Sequence, residues 1–293
     1  PSYGLIVGAA APGGLIAEGT EELPVLLVPA GPAASWGGLA FGASAVDSLC
    51  RLGHTVIRRA QTVACTDASP VLDSCRIDSC LGDGLALVNS QAQLTGCTIA
   101  DNGGDGITIS GLPPGISGCA ITGNAENGVV GGPLEVFAGN TIGFNGGHAL
   151  WLEPNSVGRI AADNLFSSPD QTIAVQGGIV GESAVWRAFP NVRRYLAGTS
   201  GIVYVQGAGT PVLTLSPGLR LEFPSASFGL RVGYTAAGGL KADALGGEPI
   251  VLTRDTNTAS WAGLRFSDQT IDSASYLKNC IYRSARSLYV ADA

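Results

Sequence analysis

The sequence has no methionine, only two histidines, and few charged side chains: Asp, Glu, Lys and Arg together make up 13% of its 293 residues. Exposed helix faces are built largely from Glu, Lys and Arg. Their scarcity beside 43 glycines argues against a helical chain and favours strands joined by turns. Sixteen basic residues against 23 acidic ones leave a net charge of −7, and Arg58-Arg59 and Arg193-Arg194 are the only local basic groups. That excludes a nucleic-acid partner, which needs clustered cations to meet phosphates. No run of about 18 apolar residues occurs. The most apolar stretch, Leu23 to Val46, is broken by Pro24, Pro29 and Pro32, so membrane insertion is not expected. Without Met, and opening on Pro1, the sequence reads as a processed or excised piece lacking a signal peptide.

What is present is repetition. Cys75-Arg-Ile77, Cys97-Thr-Ile99, Cys119-Ala-Ile121 and Asn140-Thr-Ile142 follow one another at a nearly constant step of about 22 residues. Three residues after each Ile stands Cys80, Asn102, Asn124 or Asn145. A second apolar segment then begins at Leu85, Ile107, Val129 and Leu150, preceded by Gly84, Gly106, Gly128 and Ala149. Side chains alternate along a strand, so Cys97 and Ile99 face one way and Thr98 the other. If successive coils stack, Cys75, Cys97 and Cys119 form one inward file, and Ile77, Ile99, Ile121 and Ile142 form another. A single coil cannot bury its apolar face, whereas a stack buries a continuous column. Asn102, Asn124 and Asn145 then occupy turns, where Asn tolerates the left-handed conformation and its amide reaches the next coil's backbone. The glycines are expected at a second positive-φ position. The predicted fold is all-β: a right-handed parallel β-helix with coils of about 22 residues.

A longer repeat encloses the short one. Residues 1–68 align without a gap onto 226–293: Tyr3-Gly4-Leu5 on Phe228-Gly229-Leu230, Gly13-Gly14-Leu15 on Gly238-Gly239-Leu240, Ser35-Trp36 on Ser260-Trp261, Phe41 on Phe266, and Asp67-Ala68 on Asp292-Ala293. Residues 1–225 therefore read as one module of about ten coils, and 226–293 as the start of the next tandem copy in the same solenoid. The run from Pro211 to Leu221, with Gly229-Leu-Arg-Val232, Pro249 to Thr253 and Trp261 to Phe266, resembles the β-helix repeats of large bacterial surface and secreted proteins. The middle coils are similar to the NosD-like repeats of the pectate-lyase-like superfamily. That resemblance implies the fold but no single activity, since the superfamily holds lyases, hydrolases, epimerases, tailspikes and adhesins.

Chemistry on such a scaffold would come from outward carboxylates, here Asp78, Asp83, Asp101, Asp105 and Glu126. Asp83 and Asp105 directly precede a glycine and read as turn caps. No Asp-Asp doublet with an Arg-x-Lys partner and no Gly-Asp nonapeptide array accompanies them, so no catalytic and no metal residues are assigned. A pair of such carboxylates could bind Ca²⁺, and no other cofactor is expected. His54 and His148 read as structural. Cys50, Cys65 and Cys80 are candidates for one disulfide in a secreted protein. Trp36 and Trp261 read as closing a coil corner. Trp151 should project outward from the row Ala86, Thr108, Val130, as a sugar-stacking or partner-contacting residue. The expectation is an extracellular or cell-surface module without enzymatic activity, a rigid structural or adhesive rod segment of a tandem-repeat protein. Its expected partners are neighbouring modules, other copies end to end, and cell-surface glycans. The competing reading is a carbohydrate-active β-helix, either a lyase, a hydrolase or a glycan binder.

Overall fold

Parallel strands need a crossover between them, and a solenoid supplies it by sending the chain once around its own core. In the computed structural model, residues 4–31 and 34–291 are described. Tyr3, Pro32, Asp292 and Ala293, all used in the sequence reading, lie outside them. Helix is confined to the short segments Pro154–Val157 and Asp272–Ala274 among the described residues. The chain forms two compact units, Pro1–Leu150 with Asp163–Ser168, and Trp151–Ala162 with Pro169–Ala293.

In the first unit each coil contributes one strand to each of three parallel sheets; Leu85–Val88, Gln93–Thr95 and Thr98–Ala100 make up one coil. Leu85 pairs with Val63 behind it and Ile107 ahead, Leu94 with Leu72 and Ile116, and Ile99 with Ile77 and Ile121. All of these are buried. The predicted files through Ile77, Ile99, Ile121 and Ile142 are thus three-sided, closed by the leucines of the two other sheets. The middle file, Leu72, Leu94, Ile116 and Phe137, has no signature in the sequence. Its strands are three residues long with one inward side chain each, too short to show alternation.

The second unit is built the same way, with longer coils. In the first unit Leu39, Val63, Leu85, Ile107 and Val129 stack in register close to the expected period of about 22 residues, whereas the opening coil is longer, Leu5 pairing with Leu39, 34 positions on. In the second unit Ile173, Tyr195, Leu221, Leu252 and Tyr282 stack in the same way. Their spacing is uneven, and it widens to about 30 residues in the last two coils. The short period therefore describes the central coils, and the extra chain elsewhere lies mostly in the turns, which can grow without disturbing the stacked strands. The second unit's core is also more aromatic: Trp261 stacks on Phe223 at 4.3 Å between ring centroids.

The local geometry of the first coils returns 225 positions later. Trp36 Nε1 donates to the Arg58 carbonyl at 3.0 Å, and Trp261 Nε1 to the Arg283 carbonyl at 2.8 Å. Val25 N donates to His54 O at 3.2 Å, as Ile250 N does to Asn279 O at 3.3 Å. Gly8 and Gly233, Gly38 and Gly263, His54 and Asn279, and Arg59 and Ser284 share positive φ. A Cβ on Gly38 would strike Thr62 O at 2.1 Å, and one on Gly263 would strike Ser287 O at 1.8 Å.

Candidate functional site

The files singled out from the sequence form two hydrogen-bonded ladders. Asn102 Nδ2 donates to Asn124 Oδ1 at 2.8 Å, and Asn124 Nδ2 to Asn145 Oδ1 at 2.9 Å. Each also reaches the carbonyl of the inward isoleucine of the preceding coil, Ile77, Ile99 or Ile121. Backbone N–H groups of Cys80, Asn102 and Asn124 donate to the amide oxygen of the next coil. These asparagines do not themselves occupy the left-handed position. That falls one residue earlier, on Ser79, Asp101, Gly123 and Phe144, leaving the amide free to aim along the stack. Gly84, Gly106 and Gly128 likewise lack positive φ. A Cβ on Gly106 would meet Gly128 O at 2.5 Å and Asn124 Nδ2 at 2.7 Å, so these glycines make room for the ladder. The cysteine file continues into a second amide ladder, with Cys119 N donating to Asn140 Oδ1 and Asn140 Nδ2 to Asn164 Oδ1.

All seven cysteines are free thiols, so the expected disulfide among Cys50, Cys65 and Cys80 does not form. Cys50, Cys65 and Cys80 are all buried. Burial pushes the Cys65 thiol up to about 12 and that of Cys80 up to about 11. Hydrogen bonding with Cys119, together with burial, pushes Cys97 up to about 12. Burial pushes Cys280 up as well, while the hydrogen bond with Cys97 lowers Cys119, so access to the sulfur decides which thiol reacts: an aromatic disulfide reagent should react in the native protein with one thiol, that of half-buried Cys280. The other six should react only on denaturation. Rapid native reaction of two or more would contradict a closed core.

The carboxylates are occupied structurally. Asp83 Oδ1 accepts from Asp105 N at 2.9 Å, Asp105 Oδ1 from Asn127 N at 2.8 Å, and Asn127 Oδ1 from His148 N at 2.7 Å, a third ladder that caps turns. His54 sits in the left-handed region with its N–H on Asp73 O. Asp78, nearly inaccessible, is held by Arg58 Nε at 2.6 Å and by Arg76. Burial opposes its charge, yet the hydrogen bonds from Arg58 and Arg76 outweigh that and hold it below the usual carboxylate range. Asp101 and Glu126 remain exposed on separate turns. No grouping of three or more His, Cys, Asp or Glu suited to a metal ion occurs among the described residues, and no helix there is long and apolar enough to cross a membrane. Trp151 is half-buried rather than open: its Nε1 donates to Thr199 Oγ1 at 3.0 Å, in the turn after the strand Val192–Ala197.

Two features of the second unit were not anticipated. Arg194 lies between Glu222 at 2.6 Å and Asp255 at 2.5 Å, and Arg220 also holds Glu222. The two carboxylates are almost completely buried. On another face, Tyr204, Arg231, Arg265 and Tyr289 stand in register on four successive parallel strands, all on the outward side. Arg231 lies over Tyr204 at 5.8 Å and Tyr234 at 5.2 Å; Arg265 lies over Tyr289 at 4.6 Å and Tyr234 at 5.8 Å. Arg231, Arg265 and Tyr289 line a recess of about 170 Å³ together with Gly229, Ala262 and Gly263. The sequence carries a trace of this strip in the two Gly-Leu-Arg triplets at 229–231 and 263–265. Only the register shows that they stack.

Residues 53–133 match the family model described as a right handed beta helix region. Together with the stacked parallel coils, this makes the chain a right-handed parallel β-helix module. No curated protein and no solved structure gives a significant match.

Proposed function

We propose that the chain is an extracellular structural and adhesive β-helix module, a rigid rod segment of a cell-surface or secreted protein in which copies of about 225 residues follow one another in tandem. The observation that carries this reading is the return of the same backbone geometry and the same indole hydrogen bond at Trp36 and Trp261. Tandem copying multiplies weak contacts into avidity, whereas an enzyme gains little from repeating its scaffold. The chemistry-bearing residues of the central coils spend their hydrogen bonds on neighbouring coils, which suits a load-carrying element. Strands at a coil edge present unpaired backbone groups, and such edges favour stacking of one copy on another.

Sedimentation velocity over a wide concentration range tests the association: the expected result is concentration-dependent growth of the sedimenting species. An invariant monomer would remove end-to-end assembly from the proposal. The alternative is a carbohydrate-active β-helix. Cleavage of acidic polysaccharides to unsaturated products or new reducing ends, lost in Asp101→Asn or Asp105→Asn, would replace the structural reading with that one.

A further inference from the structure

We propose that the outward strip Tyr204, Arg231, Arg265 and Tyr289, with Tyr234 beside it, binds a carboxylate- or sulfate-bearing polysaccharide. This deepens the adhesive part of the role above; it uses the 225-residue repeat as an internal control and does not require end-to-end assembly.

Like charges directly opposite one another on paired strands repel, and Arg231 and Arg265 are such a pair, one strand spacing of about 4.8 Å apart. Neither meets a carboxylate among the described residues, in contrast to Arg51, Arg58, Arg76, Arg159, Arg194 and Arg220. The Nε of Arg265 is shut off from solvent with no hydrogen-bond partner. An anion in the recess answers the first of these, the two like charges without a carboxylate. The tyrosine rings hold the guanidinium planes by cation–π contact. Cation–π contact consumes no N–H donor, so the exposed N–H groups of the guanidinium forks stay available to a carboxylate or sulfate.

The first coils supply an internal control. Their equivalents of Arg231, Arg265, Tyr289 and Tyr234, 225 positions earlier, are Ile6, Ala40, Ala64 and Ala9. The scaffold there keeps the same glycines and the same parallel register. The coil geometry thus accommodates small or apolar residues at these sites, so folding does not require the arginines and tyrosines. A charged polymer fits the strip better than an isolated anion, because its cations repeat along the stacking direction. Tyr234 and Tyr289 remain more than two-fifths exposed, which leaves ring surface for the C–H face of a sugar.

The test is affinity electrophoresis of the whole chain in gels containing alginate or dextran sulfate, with dextran as the uncharged control and polyglutamate as the acidic-peptide control. Retardation is expected in both acidic polysaccharides, weakening with added salt, and not in the two controls. Arg231→Ile and Arg265→Ala, which install the residues of the first coils, should each weaken binding by about tenfold with an unchanged thermal unfolding midpoint. Arg265→Lys should lose most of the affinity despite keeping the charge, because it lacks the fork. Failure to bind either polysaccharide, equal retardation by polyglutamate, full binding by the double variant Arg231→Ile/Arg265→Ala, or a large fall in unfolding midpoint in Arg265→Ala would each overturn the assignment. None of these outcomes bears on the self-association that tests the module reading.

Discussion

Replacing Arg194 with methionine is expected to destabilise the protein by about 3–5 kcal/mol at pH 7, the range for breaking a buried ion pair by removing one partner. The guanidinium contacts two carboxylates at once, Glu222 and Asp255, both almost fully buried. Arg220 still reaches Glu222 after the substitution. Asp255 keeps only hydrogen bonds from Thr256 and Asn257. The pH dependence follows from the direction of the Asp255 shift. Burial opposes its charge, but hydrogen bonds from Arg194 and Thr256 outweigh that and hold it below the usual carboxylate range. A depressed acid contributes stability that is fully present above the unfolded pKa of about 3.9. That contribution is lost as pH falls through the lower folded value. The variant lacks the arginine's part of it, so the gap between wild type and Arg194→Met, read from equilibrium urea unfolding, should be widest near neutrality and narrow below about pH 4. A loss under about 1 kcal/mol at pH 7 would show that water reaches these carboxylates and that their burial is not what Arg194 offsets.

Asn124→Leu is the second large expected effect, about 3–4 kcal/mol, from several buried polar groups left unpaired at about 1–3 kcal/mol each. The substitution keeps the approximate shape and removes the polarity. Asn102 loses the acceptor for both its backbone N–H and its side-chain amide. The Ile99 carbonyl and Asn145 Oδ1 lose a donor. Because the file is continuous, the damage spreads into two neighbouring coils. Urea unfolding should show a lower midpoint with little change in slope. A midpoint equal to wild type would mean that the amide ladder contributes nothing net, and that the isoleucine column alone holds the coils in register.

The central coils were legible because their period is nearly constant. Cysteine, isoleucine and asparagine recur together at one short step, and only stacking brings equivalent positions together at that spacing. Where longer turns make the coils unequal, in the opening coil and in the second unit, the same rule leaves no fixed spacing to detect. The middle sheet escaped notice for another reason: one inward residue per strand carries no alternation. The role of Gly84, Gly106 and Gly128 was misread because a glycine looks alike in sequence whether it serves positive φ or close approach. Only the 2.7 Å from a Gly106 Cβ position to the Asn124 amide separates the two. The disulfide expectation failed similarly, since compartment arguments say nothing about which thiols face one another.

By itself the sequence determined that the chain coils, that isoleucine and asparagine form files through the central coils, and that residues 226–293 repeat residues 1–68. Each of these is written in periodicity, and periodicity survives in one dimension. The tertiary structure decided which charges meet: that Arg194 lies between Glu222 and Asp255, and that Arg231 and Arg265 stack between two tyrosines with no carboxylate partner among the described residues. Those residues stand 28, 61 and 34 positions apart. Spacings so unequal are set by the lengths of individual turns, and electrostatic energy depends on distance in space, which only the stacked coils define.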